Sequence, residues 1–118
     1  MKRFLAIYIG TEDAHKRAQW NELDEEKRAA LEASGIQAWM EWGKANSAAI
    51  VEHGGPLGKT KRASTQGLTD IKNSMTGYVI VQAESHEAAA RLFENHPHFS
   101  IFPGDSVEIM ECLPLPGQ

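Results

Sequence analysis

Cysteine, positive charge and long apolar runs are all scarce in this chain, and each scarcity closes off a class of protein. The single cysteine, Cys112, excludes an intramolecular disulfide and a zinc site made of cysteines alone. Lys and Arg number 12 against 16 Asp and Glu, a formal charge of −4, which argues against nucleic acid as a general partner. No apolar stretch approaches the roughly 20 residues that cross a bilayer, so no membrane partner is expected. Met1-Lys2-Arg3 resembles the basic opening of a signal peptide, but Phe4 to Ile9 is short and runs into Gly10-Thr11-Glu12. A cytoplasmic protein is the expectation. Proline is absent from residues 13–46, which leaves that stretch free to be helical.

With 118 residues, 42% hydrophobic and 24% charged, the chain has the composition of one ordinary folded domain, residues 1–118. Phe4 to Ile9 reads as a first strand. Residues 13–46, rich in Ala, Glu, Lys and Leu, read as two helices broken at Ser34-Gly35, since both residues are poor in helix interiors. In the second piece Ile36, Trp39, Met40 and Gly43 share a face, with Trp42 beside it. Ala48 to Glu52 is a second strand, closed by His53-Gly54-Gly55-Pro56. Thr60 to Ser64 and Leu68 to Ile71, flanking Thr65-Gln66-Gly67, pair as a projecting hairpin. Tyr78 to Ala83 is β-branched and apolar, a buried strand. Ser85 is the N-cap of a helix whose stripe is Ala89, Leu92, Phe93 and His96, stopped by Pro97. Ser106 to Glu111 alternates as the last strand.

The core order is therefore βαββαβ. This predicts an α+β, ferredoxin-like fold with an antiparallel sheet and both helices on one face, plus a β-hairpin inserted between the second and third core strands. Tyr78, Ile80 and Gln82 alternate with Val79, Val81 and Ala83, so both sheet faces carry apolar residues. Helices cover one face. A second copy of the chain is the expected cover for the other, giving a homodimer through the sheet face.

The helix Ser85-His-Glu-Ala-Ala-Ala-Arg-Leu-Phe-Glu-Asn-His-Pro97 resembles the helix that leads into the Asp-Pro motif of the YCII-related family. Gly54-Gly-Pro56 is similar to that family's Gly-Pro turn, and Gly77-Tyr78 opens the strand that follows. The resemblance spans essentially the whole chain. It implies a dimeric α/β barrel and a pocket near the Gly-Pro turn, the first helix and the end of the second. The chain departs from the family at the proposed acid–base dyad. His96-Pro97 stands at the Asp-Pro position, and Gln37 or Ala38 stands where a histidine is expected.

The pocket's expected polar set is then His96, His53, His98 and Gln37, framed by Trp39 or Trp42, with Gly55, Pro56 and Lys59 at the rim. His96 is the candidate general base, placed at a helix C-terminus where the dipole raises a histidine pKa; otherwise it caps the last carbonyls. His53 either helps the glycine turn hold an anion or satisfies a strand end. Lys59, Lys61 and Arg62 either bind an anion or protect a solvated strand edge. Gly58-Lys59-Thr60 lacks the first glycine of a phosphate-binding loop, because position 53 is histidine. His96 and His98 with Glu94 suggest a metal site only if they converge, and Pro97 between the histidines gives no such geometry, whereas zinc needs three or four converging ligands. Neither metal nor cofactor is expected. The functions that fit are small-molecule binding, with or without acid–base catalysis at His96, and a non-catalytic dimeric ligand-binding or interaction module.

Overall fold

Alternation along the first strand settles which way the sheet faces. Phe4, Ala6 and Tyr8 are buried beneath helices, while Leu5 and Ile9 point to the opposite side and are half-buried. A computed structural model describes residues 1–117. In chain order the elements are β1 (Lys2–Ile9), α1 (Glu12–Arg17), a 3-10 turn (Trp20–Glu22), α2 (Glu25–Ala45), β2 (Ile50–Pro56), β3 (Thr60–Ser64) and β4 (Gly67–Ile71). They continue with β5 (Met75–Ala83), α3 (His86–Arg91), α4 (Pro97–Ser100) and β6 (Ser106–Glu111). The main sheet runs β2-β5-β1-β6, antiparallel throughout, so each core helix crosses over one intervening strand. This is the expected ferredoxin-like arrangement, and β3–β4 form the inserted hairpin as a separate two-stranded sheet. No helix among the described residues is long and apolar enough to cross a membrane.

Phe4, Ala6, Tyr8, Val79, Val81 and Phe93 form the centre of the core, closed by Trp39, Trp42 and Ile109. Each helix start is capped by a side chain that accepts a backbone N–H: Thr11 for α1, Asp24 for α2, Ser85 for α3 and His96 for α4.

Four sequence expectations are corrected. The break in the helical region falls at Ala18 to Asp24, where Gln19 adopts φ 53°, and α2 passes unbroken through Ser34-Gly35. Gly35 serves packing: a Cβ there would stand 2.5 Å from Phe102 Cε2. Second, Gly35, Trp39 and Trp42 face inward, leaving Ile36 and Met40 exposed at 57% and 55%. Third, regular helix ends at Arg91, and the chain turns through Asn95 at φ 55°. His96 therefore opens α4, with Pro97 in its first turn, where a missing N–H costs nothing. β2 also runs on through Gly54-Gly55-Pro56, with two register irregularities against β5. Gly54 has φ 62°, and a Cβ there would overlap the Tyr78 carbonyl oxygen.

The molecule measures 55 × 42 × 19 Å with a radius of gyration of 16.3 Å. A compact chain of this length would have about 13.5 Å. The thin axis is a single sheet under one layer of helices, and the hairpin extends it sideways.

The Gly35 contact makes a direct prediction. Gly35→Ala is expected to destabilise the fold by about 1–3 kcal/mol in urea unfolding, and the loss should shrink when Phe102 is first cut back to Leu. Equal losses in both backgrounds would remove Phe102 as the reason for this glycine.

Candidate functional site

A cleft of about 660 Å³ opens between the C-terminal half of α2 and the junction of β1, β2 and β5. That volume suits a small organic ligand. Trp39 and Trp42 wall one side, His53, Gly55 and Pro56 the other, and Tyr8 and His98 line the inner end. Local irregularity creates the space. Between Tyr8 and Ile9 the β1–β5 register slips by one residue, and the Thr76 hydroxyl donates to the Tyr8 carbonyl at 3.0 Å. Gly77 lets the Tyr8 ring lie against β5, since a Cβ there would stand 3.3 Å from Tyr8 Cδ2. Trp42 is pinned by its indole N–H, which donates to the Leu92 carbonyl at 2.7 Å.

Behind the wall lies a packed set of rings. His96 has no exposed surface, with ring centroids of Trp39, Trp42 and Tyr8 at 4.5, 4.7 and 5.2 Å. Its Nδ1 accepts the His98 backbone N–H at 3.0 Å, and its Nε2 lies 3.4 Å from Tyr8 Oη. Burial, reinforced by His98, pushes the His96 pKa down to about 4. This overturns the expectation of a raised pKa, because His96 sits at a helix N-terminus and out of water. The ring reaches the cleft only through Tyr8. His98 Nε2 lies 2.8 Å from the Ile9 carbonyl, which can only accept, so Nε2 carries a proton. Burial lowers the His98 pKa, opposed by that carbonyl and by Asp105. Burial also raises the Tyr8 pKa, keeping the phenol protonated.

The structure gathers Trp39, His53, Gly55, Pro56 and His98 around one cleft, with His96 one layer behind. Two expected residues stand elsewhere. Gln37 is exposed on α2, donating to Glu41 at 3.2 Å, because the inward face of that helix is the Gly35-Trp39-Trp42 face. Lys59 belongs to a separate hollow at the hairpin base, where Lys61 pairs with Asp70 at 2.7 Å. Glu94 is held outward by Arg91 at 2.9 Å, away from the two histidines. Among the described residues no three His, Cys, Asp or Glu side chains converge on a point.

Tyr8 is the residue that sequence reasoning missed. Its signal was a hydroxyl in the inward register Phe4-Ala6-Tyr8 of an otherwise apolar strand.

No family model matches the chain, and no curated protein matches it. Among solved structures, the chain is similar to 5-chloro-2-hydroxyhydroquinone dehydrochlorinase (TftG) from Burkholderia phenoliruptrix AC1100, solved in complex with 2,5-dihydroxybenzoquinone. The TM-score is 0.53 at 20% identity, over 94% of this chain and 93% of that one. What the two chains share is the ferredoxin-like fold.

Stability should follow the buried histidine. The unfolded ring titrates near 6.5 and the folded one at about 4, so the unfolded chain binds the extra proton between these values. Stability attributable to His96 is complete above pH 6.5 and falls as pH drops toward about 4, by roughly 3 kcal/mol at saturation. Urea unfolding of the wild type should weaken more steeply over this window than that of His96→Gln. Parallel pH profiles would refute the buried neutral ring.

Proposed function

We propose that this is a YCII-related, homodimeric, cytoplasmic protein whose cleft binds a small aromatic or quinonoid molecule. The observation that carries this reading is the cleft itself: two indoles and a phenol around about 660 Å³, a mostly apolar space with His98 and the Tyr8 hydroxyl at its inner end. Such walls suit a flat ring, which gains from stacking and from leaving water. TftG, which has the same fold, was solved with 2,5-dihydroxybenzoquinone, a ligand of this kind. The exposed free thiol of Cys112 suits a reducing compartment. Binding without turnover is the simpler form of the proposal. Catalysis would act through Tyr8, because His96 is walled off from the ligand.

The dimer rests on the uncovered sheet face. Leu5, Ile80 and Met110 lie there with surface still exposed, and Tyr78 donates to Glu52 at 2.7 Å beside them. Paired sheet to sheet, two copies would bury these residues and turn a thin molecule into a four-layer one.

Binding is tested with 2,5-dihydroxybenzoquinone by thermal shift and tryptophan quenching. The melting temperature should climb with ligand concentration. Gly43 lines the cleft on α2 with open space where its Cβ would be, so Gly43→Phe should fill the cleft, keep the fold and abolish the shift. An undiminished shift in Gly43→Phe would place binding elsewhere, and no shift in the wild type would remove the quinonoid reading. Light scattering at micromolar concentration should give twice the 13.0 kDa chain mass, dropping to one chain in Ile80→Lys. A single-chain mass in the wild type contradicts the dimer.

A further inference from the structure

We infer that Tyr8 presents a free phenolic O–H to the cleft and selects ligands that carry a carbonyl or comparable oxygen acceptor on the ring. This rests on the proposal that the cleft binds a small ring compound, and it specifies what that compound must offer. The argument is a count of protons. His96 Nδ1 accepts the His98 backbone N–H at 3.0 Å, so Nδ1 cannot itself carry a proton. A neutral imidazole must then carry its proton on Nε2, the atom 3.4 Å from Tyr8 Oη. Two donors cannot face each other, but here the phenol oxygen receives the Nε2 proton and keeps its own to give. Among the described residues Tyr8 Oη makes no other hydrogen bond, and Tyr8 lines the cleft.

The opposite polarity, with Tyr8 donating to His96, would need the ring proton on Nδ1, pointing straight at the His98 N–H. Nor can the ring easily turn over, since Trp39, Trp42 and Phe93 enclose it at centroid distances of 4.5, 4.7 and 5.8 Å. His96 is therefore a positioning residue that fixes which way the Tyr8 proton points. Tyr8 is 5% exposed, so its donor has little water to turn to when an apolar ligand fills the cleft. A ligand without an acceptor leaves a buried donor unpaired, and one with a carbonyl pairs it.

The test compares 1-indanone with indane, ring systems differing by one carbonyl, by tryptophan quenching in the wild type and in Tyr8→Phe. The wild type should prefer 1-indanone by about tenfold, and Tyr8→Phe should bring the ratio close to one by weakening 1-indanone alone. A ratio unchanged in Tyr8→Phe overturns the inference and leaves the cleft proposal standing. Equal binding of both compounds to the wild type overturns it as well. Binding of neither, together with no response to 2,5-dihydroxybenzoquinone, removes both. A second readout needs no substitution: the carbonyl carbon of 13C-labelled 1-indanone should move downfield on binding the wild type, as a hydrogen-bonded carbonyl does. An upfield shift, the response to an apolar surrounding without a donor, counts against Tyr8.

Discussion

The hydrogen bond from the His98 backbone N–H to His96 Nδ1 is the contact on which the site depends. It caps α4, directs the chain out of the Asn95 turn, and decides which imidazole nitrogen holds the proton. From that one choice follow the donor state of His96 Nε2 and the orientation of the Tyr8 hydroxyl. A charged His96 would carry a proton on Nδ1 and set it against the backbone N–H. The buried ring resists protonation for this reason as well as for want of water. The interaction is local in sequence, two residues apart, yet it sets the chemistry of a side chain on the first strand.

The cleft depends on a second constraint, the close approach of backbone and rings at glycine positions. Gly54 sits where any Cβ would strike the neighbouring strand, and its positive φ lets β2 fold inward beside the cleft. Gly77 makes room for Tyr8, and Gly35 makes room for Phe102 under α2. These glycines draw the helix, the bulged edge of β2 and the inner end of β1 together around one space. Side chains at these positions would force the packed elements apart.

Much of the fold could be read from periodicity because its strands are strongly patterned. β6 was expected at Ser106 to Glu111 and lies there; the hairpin, the Ser85 cap and the strand order followed from alternation and turn residues. Misreadings arose where tertiary contact outweighs local preference. Gly35 looks like a helix breaker in sequence, but its role is set by Phe102, 67 positions away in numbering and adjacent in space. Asn95, rather than Pro97, reverses the chain, because left-handed φ is open to asparagine and proline is welcome in a first helical turn. The site was less legible. Trp39, His53 and the Gly-Pro segment do face one cleft, while Gln37 and Lys59 do not, since small shifts in helix phase and hairpin direction move a side chain to another face. Tyr8 went unnoticed because its partner histidine is 88 residues away, a separation that no spacing rule reaches.

The measurement that bears most directly on this account is the tautomer and titration of His96, read from long-range 1H–15N correlations of the imidazole rings. The expected spectrum shows a neutral ring protonated at Nε2 throughout the neutral range, taking its second proton only as pH approaches about 4. A ring protonated at Nδ1, or one titrating at the 6.5 of a free histidine, would contradict the hydrogen-bond chain from His98 through His96 to Tyr8.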